Sequence, residues 1–506
     1  MRARWLAAGL LAAILSAGCA GLPSLEGRGA SRAFTDTAGA PLGMAVAPLV
    51  AAHPGQSGVY ALADGRDAFA ARAVLANAAT RSLDIQYYIW RNDITGALLF
   101  DVLRTAAARG VRVRLLLDDN NTSGLDATLA QLDAHPNIEV RLFNPFAMRR
   151  ARLLGYLTDF ARLNRRMHNK SFTIDGQATI IGGRNIGDEY FGAAGDVLFS
   201  DLDVLAVGPV VRSVSDDFDR YWNSASAYPL KLIVAAPDAA VASASIEPAP
   251  AAQAYLVAMR ESNFVAELVA RHLPLEWAAT RLVSDDPAKA LEREARESRV
   301  GPQLRESIGE PARSVDLVSS YFVPGKTGTE ALSALAVRGV AVRVLTNSLE
   351  ATDVAAVHAG YAKWRKPLLA AGVKLYELRR SWPQDVGPRL AGSLGSSGSS
   401  LHAKTFAVDG ERVFVGSFNF DPRSARLNTE MGLVIDSPAM ARQLAATLDR
   451  SVAERAYEVR LAPDGRLYWI ERKQGVAIRH DTEPGASFWR RVAVQVLSWL
   501  PIDWLL

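Results

Sequence analysis

Two stretches of this chain, 234 residues apart, carry one set of reactive side chains at one set of spacings. His168 is followed by Lys170, Asp175, Gly182, Gly183 and Asn185; His402 is followed by Lys404, Asp409, Gly416, Ser417 and Asn419. In both, Lys falls two residues after His, Asp seven, Gly fourteen and Asn seventeen. The chain has only seven His. At average residue usage, Lys, Asp and Asn would land at those offsets from a given His on the order of once in ten thousand trials. Two such sets imply one site assembled from two similar halves.

The residue types point to phosphodiester chemistry. Lys, Asn and exposed backbone N–H groups are donors to phosphate oxygens, and an imidazole serves as nucleophile or as general acid and base. Two facing sets would let one His attack phosphorus while the other protonates the leaving oxygen. His and Lys at i and i+2 share a face only on a strand. The surrounding residues do read as strands, Lys170–Ile174 and Lys404–Val408, each ending in Asp-Gly, a hairpin-turn pair. A second strand follows in each half and ends in Gly182-Gly183 or Gly416-Ser417, where small residues admit close backbone approach. Asp175 and Asp409 are either members of the reactive set or turn formers, and turn chemistry alone leaves the two readings level.

The chain resembles the phospholipase D superfamily, whose mark is a paired HxKxxxxD motif with a trailing G-[GS]-x-N. The repeat extends upstream, where Ser82–Ile89 resembles Ser314–Tyr321 and Arg109–Arg114 resembles Arg338–Arg343. Each half reads strand, helix, strand, catalytic hairpin. The fold class expected is therefore α/β, with two pseudo-symmetric sandwich halves packed around one active site. The resemblance implies a covalent phosphohistidine, no metal and no cofactor. By that resemblance His168 is the nucleophile, His402 the general acid and then base, and Lys170, Lys404, Asn185 and Asn419 hold the phosphate, with Gly183 and Ser417 beside it. Each His also needs a carboxylate on its other ring nitrogen to fix the tautomer. The family pattern points to Glu430 in the second half. In the first half Asp201 and Asp203 alternate onto one strand face; Asp201 is favoured.

Composition supplies the setting. Five hundred and six residues at 49% hydrophobic content suffice for two cores. Arg2 and Arg4 precede an uncharged apolar run, Trp5 to Ala17, too short to span a bilayer but of signal-peptide length. The single cysteine, Cys19, follows Leu15-Ser-Ala-Gly18 and resembles a bacterial lipobox, with Ser16 where Leu is commonest. The expected order is a lipoprotein-type signal (1–18), a tether (19–45), a first half (46–232), a linker (233–260), a second half (261–460) and a Trp/Leu-rich tail (461–506) that is a candidate membrane contact. A bacterial cell-envelope location follows, lipid-anchored at Cys19 and facing the periplasm, with the outer membrane favoured.

Further segments bear on substrate. The tail, with Leu467–Trp469 and Phe488–Leu506, resembles that of the C-type bacterial cardiolipin synthases. So does Thr352–Arg365, which puts His358, Tyr361 and Arg365 on one helical face as candidate pocket residues. Arg149–Arg166 mixes six Arg with apolar residues just before His168. It is either an anionic-lipid contact, a solvated helix face or a nucleic-acid contact. A formal charge of +4 is mild. The function expected is a phosphatidyltransferase acting on glycerophospholipids at a membrane surface, making cardiolipin from phosphatidylglycerol and a second phospholipid. The alternatives are a hydrolase giving phosphatidic acid, a nuclease of the same superfamily, and a non-catalytic lipid-binding lipoprotein. Nucleic acid is not expected as a partner, and a monomer suffices because both motifs lie in one chain.

Overall fold

Strand-length runs of β-branched and large apolar residues alternate along the chain with helical stretches, and they assemble into two mixed sheets. The computed structural model describes residues 21–193, 199–235, 250–260, 263–269, 273–380, 400–473 and 475–500. The first half contributes β1 (Ser57–Leu62), β2 (Ser82–Tyr87), β3 (Arg112–Asp118), β4 (Ile138–Phe143), β5 (Ser171–Ile174), β6 (Ala178–Gly182), β7 (Phe199–Ser200), β8 (Asp203–Val207) and β9 (Ala227–Pro229). The second contributes β10 (Glu276–Ala278), β11 (Thr280–Ser284), β12 (Ser314–Ser319), β13 (Ala341–Asn347), β14 (Lys374–Leu378), β15 (Ser400–Leu401), β16 (Lys404–Val408), β17 (Arg412–Gly416), β18 (Met431–Ile435), β19 (Ala456–Leu461), β20 (Leu467–Lys473) and β21 (Val476–His480).

The first sheet runs β10-β1-β8-β6-β5-β2-β3-β4-β9, the second β11-β18-β17-β16-β12-β13-β14-β19-β20-β21. In each, three parallel strands (β2, β3, β4; β12, β13, β14) abut an antiparallel hairpin (β5–β6; β16–β17). The hairpin turns are built alike. Asp175 and Gly176 have φ of 51° and 61°, and Asp409 and Gly410 have 56° and 67°. That is the left-handed pair a type I′ turn needs, and it matches the strand twist.

The two sheets are fused into one body. Ile181, Val204 and Ala206 of the first sheet share a core with Val413, Val415 and Leu433 of the second. A short parallel ladder, β7 with β15, and a bridge between Met167 and Thr429 cross the join.

Boundaries differ from those expected in three places. The helices Pro250–Arg260 and Asn263–Val269 belong to the first half: Tyr255 donates to the Phe191 carbonyl, and the Phe264 N–H donates to Asp67. β10 then pairs with β1, so the first sheet continues to Ala278. Residues 28–37 are strapped along the first half rather than hanging as a tether. Arg28 donates to the carbonyls of Asn223, Ser224 and Ala227, and Arg112 stacks on Phe34 at 3.8 Å. The tail extends the second sheet through β20 and β21 before its final helix, Phe488–Trp499. Among the described residues no helix is long and apolar enough to cross a membrane. The signal-peptide and Cys19 expectations lie outside the described residues.

Candidate active site

β5 and β16 begin at the sheet end where the parallel strands finish, so His168 and His402 arrive at the C-terminal ends of β2 and β12. The carboxylates then cross the join. The ring Nδ1 of His168 lies 2.8 Å from Glu430 Oε2, and that of His402 lies 2.6 Å from Asp201 Oδ2. Each imidazole therefore takes its carboxylate from the opposite half. Since an ionised carboxylate only accepts, Nδ1 carries the proton in both rings and Nε2 is left as the basic nitrogen. Backbone bonds lock the arrangement: the His168 N–H donates to the Thr429 carbonyl, and the His402 and Ala403 N–H groups donate to the Ser200 carbonyl.

The two carboxylates are supported differently. Gly183 exists to admit Asp201: a Cβ on it would stand 2.2 Å from Asp201 Oδ1. At the matching position Ser417 keeps its side chain and donates to Glu430 Oε2, while Ser424 donates to Glu430 Oε1 at 2.7 Å. Asp203, the alternative to Asp201, is instead bound by Arg72 at 2.8 Å and Arg184 at 3.5 Å.

Charge is concentrated here. Lys170 Nζ donates to the His168 carbonyl at 2.6 Å, and Lys404 Nζ donates to the His402 carbonyl and lies 2.9 Å from that ring's Nδ1. Burial, followed by the two lysines, pulls the His168 imidazole well below its usual range. Burial and Lys404 lower His402 to about 4 against the opposing pull of Asp201. Burial depresses Lys170 strongly and brings Lys404 down to about 8. Burial alone would raise Asp201, but His402, Lys404 and Arg184 outweigh it and hold that carboxyl well below the usual range. Glu430 goes the other way, raised by burial despite Lys170 and the serines. Each imidazole rests on a carboxylate of the other half with its own lysine beside it, which brings both sets to one cleft.

Asn185 and Asn419 reach the same sheet end. Asn185 accepts from the Ile89 N–H and donates to Tyr190 Oη at 3.0 Å; Asn419 accepts from Ser320 Oγ at 3.1 Å. Asp175 and Asp409 do not reach it. Their carboxylates accept from the N–H groups of Thr80, Arg81 and Ser82, and of Ala312, Arg313 and Ser314. They sit seven residues from the histidines along strands, roughly 23 Å at strand rise, so the turn-forming reading prevails over the catalytic one.

His358, Tyr361 and Arg365 are not brought to the histidines either. Arg365 is ion-paired with Glu377 at 2.8 Å and with Glu483; His358 faces Glu483 at 3.4 Å; Tyr361 donates to Glu377 at 3.1 Å. Trp469 Nε1 donates to the same Glu377. These polar groups fasten the tail to the second half, because a buried guanidinium requires carboxylates on several sides. The arginines before His168 are likewise engaged: Arg149 with Asp119 and Asp126, Arg162 with Asp159, and Arg165 with Glu292.

Two aromatic neighbours were not singled out from the sequence. Tyr88 stands edge-on to His168 at 4.9 Å, and Tyr190 edge-on to His402 at 5.1 Å. The second is a cross-half contact, and Ser424 is a further partner absent from the motif. Their only sequence signal is position: Tyr88 directly follows the repeated upstream strand, and Tyr190 and Ser424 each lie five residues after the motif Asn. Among the described residues no group of three or more His, Cys, Asp and Glu is arranged to hold a metal ion.

The family model described as "Cardiolipin synthase, PLD-like domain" matches residues 73–222 and 304–452, one copy around each histidine set. Cardiolipin synthase C of Escherichia coli (strain K12) is 53% identical over 470 residues, covering 92% of this chain and 99% of that protein. Cardiolipin synthase A of Pseudomonas putida (strain W619) is 27% identical over 417 residues, covering 82% of this chain and 72% of its own. Among solved structures, the phosphatidylserine synthase of Haemophilus influenzae Rd KW20 shares the fold, with a TM-score of 0.53 at 13% identity, covering 79% of this chain and 87% of that one.

Proposed function

Because this chain belongs to the cardiolipin synthase family of phospholipase D-like proteins, we propose that it is a phosphatidyltransferase that makes cardiolipin through a phosphohistidine intermediate. The observation that carries this reading is the crosswise pairing of each imidazole Nδ1 with a carboxylate of the other half. It leaves two Nε2 atoms for one phosphate.

In the first step Nε2 of His168 attacks the phosphorus of a glycerophospholipid. The phosphorus–oxygen bond to the headgroup breaks, and protonated His402 gives its proton to the departing alcohol oxygen. In the second step neutral His402 takes the proton from a hydroxyl of phosphatidylglycerol. That oxygen attacks phosphorus, the phosphorus–nitrogen bond breaks, and its electron pair returns to His168. Lys170, Lys404, Asn185 and Asn419 hold the non-bridging oxygens, whose negative charge grows as phosphorus becomes five-coordinate. The division of roles follows the surroundings. His168 is the more enclosed ring, with its side chain 8% exposed against 13% for His402. His402 faces the more firmly ionised carboxylate, which stabilises the imidazolium an acid must become. A phosphate anion between the lysines offsets the charges that depress His402, so substrate itself brings the acid into its working range.

On the sequence pattern, the mature chain is held at a bacterial envelope membrane by lipid on Cys19 and faces the periplasm. Cys19→Ser should then release it from membranes. The catalytic reading is tested by mass spectrometry of lipids after incubating the purified protein with phosphatidylglycerol and phosphatidylethanolamine. Cardiolipin is the expected product. Phosphatidic acid alone would make the protein a hydrolase, and unchanged lipid would remove the reading.

A further inference from the structure

We propose that the rim of the histidine cleft is a bilayer-docking surface with two apolar prongs, the leucine face of the helix Arg152–Thr158 on one side and the tail helix Phe488–Trp499 on the other. It rests on the phospholipid reading of the cleft and deepens it by stating which face meets the lipid.

Leu153 and Leu157 are 83% and 82% exposed, one helical turn apart, with Leu154 and Phe160 beside them. Across the cleft Trp489 and Trp499 are 76% and 74% exposed, with Phe488 and Val496 also open, while Val494 is the tail-helix residue buried against Leu349 and Ala359. Exposed large apolar residues normally occur singly; two clusters at one end of a molecule mark an interaction face.

Both clusters are tied to the cleft by short chains of contacts. The leucine helix sits on the turn that follows β3: Arg152 donates to the Asp119 carbonyl at 2.8 Å, and Tyr156 donates to Asn120 at 2.6 Å. From that turn Asn121 donates to the carbonyl of Tyr88, the ring that stands on His168. On the other side Arg490 donates to the Thr352 carbonyl at 2.8 Å. The next residue, Asp353, accepts from Tyr321 at 2.8 Å, and Ser320, the neighbour of Tyr321, donates to the motif residue Asn419 at 3.1 Å.

The occupant is a phospholipid leaflet. Among the described side chains the arginines at both prongs are turned to internal partners: Arg149 to Asp119 and Asp126, Arg152 to the Asp119 carbonyl, Arg490 to the Thr352 carbonyl, and Arg491 to the carbonyls of Glu483 and Ala486. The outward faces are thus apolar, which suits acyl chains and tryptophan-rich headgroup contact rather than a nucleic acid. Neither helix can span a membrane, so they would lie within its surface. The N-terminal strap adds a third line. It is clamped through Arg28 to the Ala227 carbonyl; the adjoining Ser226 carbonyl accepts from the Asn144 N–H, and Arg162 of the neighbouring short helix donates to the Pro145 carbonyl at 2.9 Å. Cys19 precedes Arg28 by nine residues, a reach of at most about 30 Å.

The test places a small environment-sensitive fluorophore, on a non-natural residue, at position 157, 489 or 466 of the full chain. Arg466 lies in the β19–β20 turn at the opposite sheet end. In vesicles of phosphatidylethanolamine and phosphatidylglycerol with brominated acyl chains, the probes at 157 and 489 should lose most of their emission and the probe at 466 none. Leu153→Glu combined with Leu157→Glu should cut turnover in vesicles by at least about tenfold, the burial of two leucines being lost. Turnover of monomeric short-chain phosphatidylglycerol should stay unchanged. An unquenched probe at 157, or equal quenching at 466, overturns the proposal. So does a probe at 157 that is already buried without vesicles, covered by the chain's own N-terminal run or, if the burial depends on protein concentration, by a second copy. Lipid products are measured in the same vesicles: quenching without cardiolipin leaves the docking surface standing and removes the catalytic reading.

Discussion

Asp201 and Glu430 occupy equivalent places in the two halves and serve opposite histidines, but by different means. Asp201 is short and is brought up to His402 because Gly183 has no side chain to block it. Glu430 is one methylene longer, has a serine where the other half has glycine, and is held by Ser417 and Ser424 as well as by His168. Asp201 is kept firmly ionised, whereas Glu430 is pushed up by burial. An exact duplicate would give two histidines of equal character. The departure from symmetry gives the two rings unequal surroundings, as the proposed division into nucleophile and acid–base requires.

The largest effect expected from breaking this difference is on the acid side. Asp201→Asn should lower kcat on the order of a thousandfold or more, as loss of a tautomer-fixing carboxylate does elsewhere, with little change in KM. Glu430→Gln should be as damaging to the first step. Steady-state kinetics with a chromogenic headgroup, against circular dichroism to confirm folding, measures both.

Next comes the pH profile. Lys404 loses its proton near pH 8 in the empty cleft, so its charge is present below that pH and lost above it. KM should therefore rise as pH passes 8, roughly tenfold per unit at the steepest. Lys404→Arg should move that limb out of range. A KM flat to pH 10 in the parent protein would show that Lys404 does not bind the phosphate.

Ser424→Ala tests the support of Glu430 alone. Losing one hydroxyl bond to a buried carboxylate is worth about 1.5–3 kcal/mol, so kcat should fall about ten- to a hundredfold. The acid limb of the profile should move up because Glu430 becomes easier to protonate. A change in stability without a change in the profile would reduce Ser424 to packing.

The smallest effect on chemistry is expected at the turns. Asp175→Ala and Asp409→Ala remove acceptors for three backbone N–H groups each and should cost stability, about 1–3 kcal/mol, with kcat unchanged in the folded protein. Asp175 is fully buried and Asp409 is not, so the first loss should be the greater.

The histidine, lysine and asparagine positions and the doubled α/β plan were legible because duplication at fixed offsets exposes them. The crosswise pairing was not, since nothing local to His168 says that its carboxylate lies 262 residues on. Pattern also misled where charge was satisfied internally. His358, Tyr361 and Arg365 share a helical face, but their partners Glu377 and Glu483 come from β14 and the tail. The segment 149–166 reads as a lipid contact, a solvated face or a nucleic-acid contact, but its Arg149, Arg162 and Arg165 are closed on by Asp119, Asp126, Asp159 and Glu292. The helix Pro250–Arg260 sits in an Ala/Pro-rich stretch that reads as linker, and only its packing on the first half reveals it as part of that core.

The division of labour between the two histidines is tested most directly by trapping the intermediate. The full chain carrying His402→Ala is mixed with a phospholipid whose headgroup leaves without protonation, quenched and digested. With no base to activate an acceptor, a phosphatidyl group should accumulate on the peptide containing His168, and the His168→Ala chain should carry none. An adduct on the His402 peptide of the His168→Ala chain, with none on His168, would reverse the roles. Absence of any adduct, with lipid turnover near normal in both variants, would contradict covalent catalysis by this pair.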